Sequence, residues 1–117
     1  MTFADFQQYL DEELGPGEVN VQDDFVTEMK AMIVKSLVAV RKKLNPSHRK
    51  ECFELYGYDF IIDSELYVWL IECNTNPCLE ENSSVVKMLL PRMLDDAFKL
   101  TLDVVFPQAT SRVASLP

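Results

Sequence analysis

Hydrophobic residues at the start of the chain follow a helical spacing. This spacing predicts a helix from Phe3 to about Leu14, and Thr2 is placed to cap its N-terminus. The sequence Gly15-Pro16-Gly17 then predicts a break in the chain. The predicted buried face of this first helix carries Phe3, Phe6 and Leu10.

A second, longer helical pattern runs from Val21 to Leu44. Asn45-Pro46-Ser47 is expected to end it. Its apolar stripe is expected to pack on the protein's own sheet, with docking of a partner as the less favoured alternative. The stripe consists of Phe25, Met29, Met32, Ile33, Leu37 and Val40.

The pattern changes after the second helix to two runs rich in aromatic and branched residues, Cys52 to Asp63 and Leu66 to Asn74. Asp63-Ser64-Glu65 between them resembles a short polar turn, so the sequence predicts an antiparallel hairpin. Helices with such a hairpin give an α+β fold. Four aromatic residues are expected on the hairpin face that the long helix buries, with base stacking as the less favoured alternative: Tyr56, Tyr58, Tyr67 and Trp69.

Three oxygen-bearing side chains, Asp59, Glu72 and Asn74, interrupt these apolar strands. Side chains two apart share a face, and a hairpin centred between Glu65 and Leu66 places Asp59 opposite Glu72. Opposed carboxylates repel unless a cation bridges them or one takes up a proton, and a buried unpaired charge is costly. The ligand set suits Mg²⁺. Alternatively, Asp59 lies at a sheet edge and Glu72 faces solvent.

The remainder of the chain is predicted to be helical, with a polar tail. Asn82-Ser83-Ser84 can cap a short helix, and Pro91 can start another that continues through Val105. Residues 108–117 are expected to fray. The apolar stripe of the last helix is predicted to contain Leu94, Phe98, Leu100 and Val104.

Composition limits the class of protein. A length of 117 residues with 48% apolar content suits a single domain, and neither a membrane-spanning run nor a signal-peptide pattern is present. The three cysteines, Cys52, Cys73 and Cys78, lack zinc-like spacing, so reduced thiols are expected. A formal net charge of −8 argues against nucleic-acid binding.

Positive charge is concentrated around the end of the second helix. The cluster is expected to be a solvated helix end, because charge runs usually face water. Contact with phosphate or an acidic peptide is the alternative. No catalytic role is expected for His48 in the same loop. The basic residues are Arg41, Lys42, Lys43, Arg49 and Lys50.

The run Phe-Glu-Leu-Tyr-Gly-Tyr-Asp-Phe at 53–60 and the run Trp-Leu-Ile-Glu-Cys-Asn-Thr-Asn-Pro at 69–77 closely resemble the tubulin–tyrosine ligase-like family, a branch of the ATP-grasp ligases. The resemblance extends from residues 3–10 through 90–93 to 105–107. It implies that residues 1–107 form the C-terminal part of an ATP-grasp domain, with a flexible tail at 108–117.

This resemblance also implies a chemistry. Asp59, Glu72 and Asn74 match the family's magnesium ligands, which hold the phosphates of ATP. Thr75 and Asn76 match a loop beside the amino-acid pocket. The expected activity is ATP-dependent ligation of an amino acid, chiefly glutamate and otherwise glycine or tyrosine, to tubulin tails or to proteins with similar acidic tails. The expected partners are tubulin or microtubules and the upstream part of the same domain, in the cytoplasm and on the cytoskeleton, including the cilium or basal body.

The chain departs from the family in length. It has no counterpart of the upstream lysines and adenine-binding residues, and its three glycines match no phosphate-binding loop. We therefore expect this chain alone to be inactive and to act within a longer ligase. The alternatives are a catalytically inactive fragment that binds a cytoskeletal partner, and an inert structural lobe.

Overall fold

The computed structural model describes residues 1–81 and 83–107, and within them the chain is α+β with one antiparallel hairpin. No helix in these two ranges is long and apolar enough to cross a membrane. The described elements are α1 (Phe3–Leu14), a π-helical segment (Val21–Val26), α2 (Thr27–Leu44), β1 (Gly57–Ile62), β2 (Val68–Asn74) and α3 (Ser84–Val105).

The chain forms two compact units. We call Met1–Arg49 together with Glu54–Leu79 the hairpin unit. Among the described residues, the C-terminal unit contains Lys50–Phe53 and the residues at 80–81 and 83–107. The functional residues predicted from the strands all belong to the hairpin unit.

Helix α1 begins and ends as predicted. The Thr2 hydroxyl accepts from the Asp5 backbone N–H at 3.1 Å, and the Asp5 carboxylate accepts from the Thr2 backbone N–H at 2.6 Å. This reciprocal pair satisfies two N–H groups that the first helical turn leaves without partners. At the other end Gly15 has a φ of 107°, a backbone conformation that favours glycine.

The predicted long helix has the expected extent, but its first six residues are π-helical. The Asn20 side chain caps this segment by accepting from the backbone N–H groups of Gln22 and Asp23. The apolar stripe is buried at its start, where Phe25 is 3% exposed and Met29 and Met32 pack against the core. Its far end is exposed, so the packing prediction is confirmed only for the first part of the stripe.

A small core holds the hairpin unit together. Its buried side chains come from α1, the π-helical segment and β2, and Phe60 and Ile62 of β1 pack against them. The Gln7 side chain connects α1 to the following loop, because it donates to the Val19 carbonyl at 2.7 Å and accepts from the Val21 N–H at 2.8 Å. The buried residues in the described chain are Leu10, Val21, Phe25 and Val68.

Both strands are shorter than the runs that predicted them. The prediction that a strand begins at Cys52 is wrong, because β1 begins at Gly57, which pairs with Asn74 at the end of β2. Strand β2 ends at Asn74, and the chain then continues to Pro77, which has no N–H to donate to a ladder. The residues before Gly57 therefore have no strand to pair with in the described hairpin.

Helix α3 is one continuous helix, so the prediction of two separate helices is wrong. Ser83 caps it by accepting from the Val86 N–H at 3.2 Å, as predicted. Pro91 lies inside the helix rather than at its start. The predicted apolar stripe is not buried, and Leu100 is 78% exposed. Asn82 and the tail at 108–117 lie outside the described residues.

Candidate functional site

The hairpin brings the three predicted ligands together. Asp59 lies directly opposite Glu72, as the predicted hairpin centre requires. The Asn74 side-chain amide donates to Asp59 Oδ2 at 3.3 Å and to Glu72 Oε1 at 3.1 Å. Two carboxylates from opposite strands and one carboxamide therefore meet at one place, which we call the carboxylate site.

All three side chains of the carboxylate site are exposed. The expectation that the carboxylates are buried inside apolar strands is therefore wrong, and the cost of burying a charge gives no argument for a cation. The exposure agrees with the alternative in which Glu72 faces solvent. The convergence of the two carboxylates is the observation that favours a cation site, because opposed like charges repel unless a cation lies between them.

A β-bulge lies immediately beside the carboxylate site. Asp59 pairs with Glu72, but the next residue of β1, Phe60, pairs with Leu70, so Ile71 has no partner in this ladder. The extra residue reverses the alternation of faces along β2. Val68 thereby faces the core at 4% exposure, although a regular ladder through Asp59 and Glu72 would turn it outward.

The bulge also changes the predicted position of the aromatic residues. Trp69 pairs with Ile61, which shares a face with Asp59, so Trp69 lies on the carboxylate face at 56% exposure. Tyr67 is similarly exposed. The prediction that both are buried under the long helix is wrong. It holds for Tyr58, whose hydroxyl lies 2.9 Å from that of Ser36 in α2.

Asp63 organises the turn of the hairpin. Its Oδ1 accepts from the backbone N–H groups of Glu65 and Tyr67, both at 2.9 Å, and its Oδ2 accepts from the Trp69 indole at 2.7 Å. The hydrogen bonds from Trp69 and then Tyr67 lower the pKa of Asp63 below its ordinary value, because they favour the charged carboxylate. Leu66 completes the turn with a φ of 68°.

Sequence reasoning identified this turn but not the role of Asp63. An aspartate that accepts the N–H two residues ahead is a known turn arrangement, so the bond to Glu65 could have been predicted. The bond to Trp69 could not, because it depends on the bulge that turns the indole outward.

The chain beyond β2 folds back over the start of β1. A Cβ placed on Gly57 would lie 3.1 Å from Cβ of Pro77 and 3.9 Å from that of Asn74. Only glycine therefore lets Pro77 approach this closely without a shift. Thr75 and Asn76, the predicted substrate-loop residues, lie in the exposed connection between Asn74 and Pro77.

The ligand set is limited to oxygen donors. Within residues 1–81 and 83–107, no three side chains of His, Cys, Asp or Glu converge as metal ligands would. At the carboxylate site the third oxygen-bearing side chain is the Asn74 carboxamide, beside the carboxylates of Asp59 and Glu72. The cysteines, Cys52, Cys73 and Cys78, are exposed, and their reduced state stays a prediction.

The predicted basic contacts are exposed residues. Three of them form the last turn of α2, where positive charge also interacts favourably with the helix dipole. Arg49 follows in the loop, and its backbone N–H donates to the Asn45 side chain at 2.8 Å. Lys50 belongs to the C-terminal unit. Their exposure agrees with the favoured expectation of solvated charges, and contact with an acidic peptide stays the untested alternative. The three helical residues are Arg41, Lys42 and Lys43.

Comparison with known proteins agrees with the resemblance in the strands. Residues 1–112 match the model of the tubulin-tyrosine ligase family. The chain is 38% identical over 108 residues to the probable tubulin polyglutamylase TTLL9 of Rattus norvegicus, which covers 92% of this chain and 22% of the relative.

Two further relatives carry glycylase names. Identity is 34% over 103 residues to tubulin glycylase 3B of Tetrahymena thermophila, covering 88% of this chain and 8% of the relative. It is 32% over 78 residues to tubulin monoglycylase TTLL3 of Danio rerio, covering 67% of this chain and 10% of the relative. The chain thus spans less than a quarter of the length of each of these relatives. The match over residues 1–112 and these identities show that the chain belongs to the tubulin-tyrosine ligase family.

Proposed function

We propose that this chain supplies the magnesium-binding hairpin of an ATP-grasp ligase that joins amino acids to tubulin tails. The observation that carries the proposal is the convergence of Asp59, Glu72 and Asn74 across the two strands. The relatives are named for polyglutamylation and glycylation of tubulin, so glutamate and glycine are the amino acids to test first. Tyrosine, from the family name, is a third.

The donor chemistry of the carboxylate site fits Mg²⁺. Mg²⁺ prefers carboxylate and carbonyl oxygens and usually binds through one or two carboxylates, with waters and substrate phosphates completing the octahedron. Asp59 and Glu72 would provide the carboxylates from opposite strands. The Asn74 amide nitrogen faces them in the structure, so a rotation of the carboxamide would present its oxygen instead.

The roles of the residues follow from this arrangement. Bound Mg²⁺ would neutralise the charge on the ATP phosphates during phosphoryl transfer. Asp59 and Glu72 would fix the position of the ion, and the short distance between the strands would keep it aligned with substrate. Thr75 and Asn76, immediately after β2, would border the amino-acid pocket.

The acidic tubulin tail would approach a positively charged surface. The exposed last turn of α2 supplies Arg41, Lys42 and Lys43, and Arg49 follows in the same unit. Lys50, in the C-terminal unit, is a separate candidate contact. Contact with this surface would be sensitive to salt, because exposed charges are screened. The proposed setting is the cytoplasmic cytoskeleton, including the cilium or basal body.

The proposal is tested by cation binding and by ligation. We expect Asp59→Asn and Glu72→Gln each to weaken Mn²⁺ binding, measured by electron paramagnetic resonance on this chain, while Asp23→Asn leaves it unchanged. Asp23 is an exposed carboxylate of the π-helical segment and controls for lost charge. In the natural protein that carries this chain, both hairpin variants should also lose incorporation of labelled glutamate or glycine into tubulin. Native binding and ligation in both variants would overturn the proposal.

A second function is favoured by the apolar surface of α3. No residue of α3 is buried, and Met88, Leu100 and Val104 are each more than 60% exposed. Such a surface suits a non-catalytic module that binds a cytoskeletal partner. Co-sedimentation of the chain with microtubules that persists in Asp59→Asn, together with no ligation by the natural protein, would favour this function.

A further inference from the structure

The two ends of the hairpin are in different registers. At the turn, Ile62 pairs with Val68 and Phe60 with Leu70. At the other end, Asp59 pairs with Glu72 and Gly57 with Asn74. The unpaired Ile71 separates the two registers, so the carboxylate site exists only while both ends hold their own pairing.

The turn end is held by the core. Val68 is 4% exposed and packs with the buried residues of α1 and the π-helical segment, and Asp63 adds its hydrogen bonds to the turn. If this register continued through the ladder without the bulge, Asp59 would face Ile71. Glu72 would then pair with Tyr58 and turn towards α2, because a one-residue slip exchanges the faces of a strand. The two carboxylates would be separated.

Contacts outside the core must therefore hold the carboxylate end, and the cross-strand hydrogen bond from Asn74 to Asp59 is one of them. Another is the close approach of Pro77 to Gly57, where an added Cβ would lie 3.1 Å from Cβ of Pro77 as the chain after Asn74 returns over the start of β1. This path of the chain after β2 fits the pairing of Gly57 with Asn74. In the slipped register Gly57 would face Cys73, and Pro77 would be displaced by one residue along the chain.

We propose that Gly57 and Pro77 are positioning residues for the carboxylate site, whose contact keeps Glu72 opposite Asp59. The inference rests on the proposed cation-binding function and deepens it. Neither residue has a charge or a side-chain donor or acceptor, so their effect on cation binding acts through the register of the ladder. Pro77 can approach this closely because Gly57 has no Cβ, and the approach can be tested by moving a methyl-sized group from position 77 to position 57.

The test measures Mn²⁺ binding by paramagnetic resonance in four variants of the chain. Gly57→Ala and Pro77→Gly should each weaken binding about tenfold, the lower end of the loss seen when groups that orient metal ligands are removed. The double variant should recover most of that loss, because the Cβ added at position 57 would then meet only the Cα at position 77, at 3.8 Å, an ordinary contact distance. Pro77→Ala retains the Cβ and should bind like the native chain.

Two further measurements separate this role from general stability and from failure of the proposed function. Thr2→Ala removes the α1 cap and should leave Mn²⁺ affinity unchanged although stability falls. Cross-strand nuclear Overhauser contacts between Tyr58 and Cys73, which are ladder partners, should be lost in Gly57→Ala and restored in the double variant.

The outcomes are distinct. Native-like binding and cross-strand contacts in Gly57→Ala would overturn the positioning role while leaving the proposed function intact. Equal losses in Pro77→Ala and Pro77→Gly would also overturn it, because the rigidity of proline would then matter rather than the contact. Mn²⁺ binding by the native chain that is unaffected by Asp59→Asn would overturn the proposed function itself, whatever the register of the hairpin.

Discussion

Tyr58 donates its hydroxyl proton to Ser36, and the bond joins β1 to α2 at the residue before Asp59. The two oxygens lie 2.9 Å apart, and the Ser36 hydroxyl also lies 2.8 Å from the Ile33 carbonyl. A carbonyl can only accept, so Ser36 uses its single proton on Ile33 and receives the bond from Tyr58. The strand that carries Asp59 is thereby fixed to the longest helix of the hairpin unit.

We expect Tyr58→Phe to destabilise the chain by about 1 kcal/mol, the usual net value of one hydrogen bond. The ring and its stacking on Phe60, with centroids 6.4 Å apart, would remain. Urea unfolding followed by circular dichroism gives the change, with Tyr67→Phe as the matched control because Tyr67 is 59% exposed. Equal unfolding midpoints for the two variants would show that the bond to Ser36 contributes nothing.

The local pattern was sufficient to predict the elements around the carboxylate site. Helical spacing located α1 and α2, and the Thr2 cap followed from residue type alone. The pairing of Asp59 with Glu72 followed from the position of the turn, because strand geometry has a fixed period of two. These features depend on residues close in sequence, which is why a single sequence on its own predicts them.

The bulge could not be predicted in the same way. The bulge at Ile71 allows Val68 to face the core while Gly57 lies close to Pro77. Both features depend on contacts with residues outside the neighbourhood of Ile71 in the strand. The outward position of Trp69 then follows from the bulge. The exposure of Asp59 and Glu72 could not be predicted either. Alternation along a strand shows which side chains share a face, but it does not show whether that face is covered.

The hydrogen bonds of Asp63 predict a pH-dependent change at the hairpin turn. The pKa of Asp63 is lowered in the folded chain, first by the bond from Trp69. A lowered pKa contributes stability that is complete above the unfolded pKa of about 3.9 and is lost as pH falls through the folded value. The turn should therefore be fully stabilised at neutral pH and loosen only at pH values below about 4.

Trp69 reports this change directly, since it is the chain's single tryptophan. We expect its fluorescence to change on acidification below the ordinary aspartate range as the indole loses its charged acceptor. In Asp63→Asn this acid transition should be absent. Glu65→Gln, in the same turn, removes a charge without removing an acceptor of the indole and should retain the transition. A transition that persists unchanged in Asp63→Asn would exclude Asp63 as its source.

The position of Pro91 predicts that replacing it with alanine stabilises α3. It lies inside Ser84–Val105, where it has no N–H to donate to the carbonyl four residues earlier, that of Lys87. Replacing proline by alanine in a helix interior gains up to about 3 kcal/mol. Pro91→Ala should therefore increase helical circular dichroism and resistance to urea, whereas Pro107→Ala, beyond the helix, should change neither. An unchanged or smaller helical signal in Pro91→Ala would show that the proline ring makes a compensating contact.

The opposed carboxylates predict that the effect of Glu72→Gln on stability changes sign when Mg²⁺ is added. Asp59 and Glu72 face each other across the ladder, and like charges in such pairs destabilise a hairpin. In low salt with a chelator, Glu72→Gln should therefore raise the urea midpoint slightly, because it removes this repulsion while retaining the shape of the side chain. With excess Mg²⁺ the native chain should become the more stable of the two, since a ligand that binds only the folded state stabilises it. Asp23→Asn retains both hairpin carboxylates, so it should lack the rise in low salt and should be stabilised by Mg²⁺ as the native chain is. If Mg²⁺ stabilised native and Glu72→Gln chains equally, the ion would be acting elsewhere than between these carboxylates.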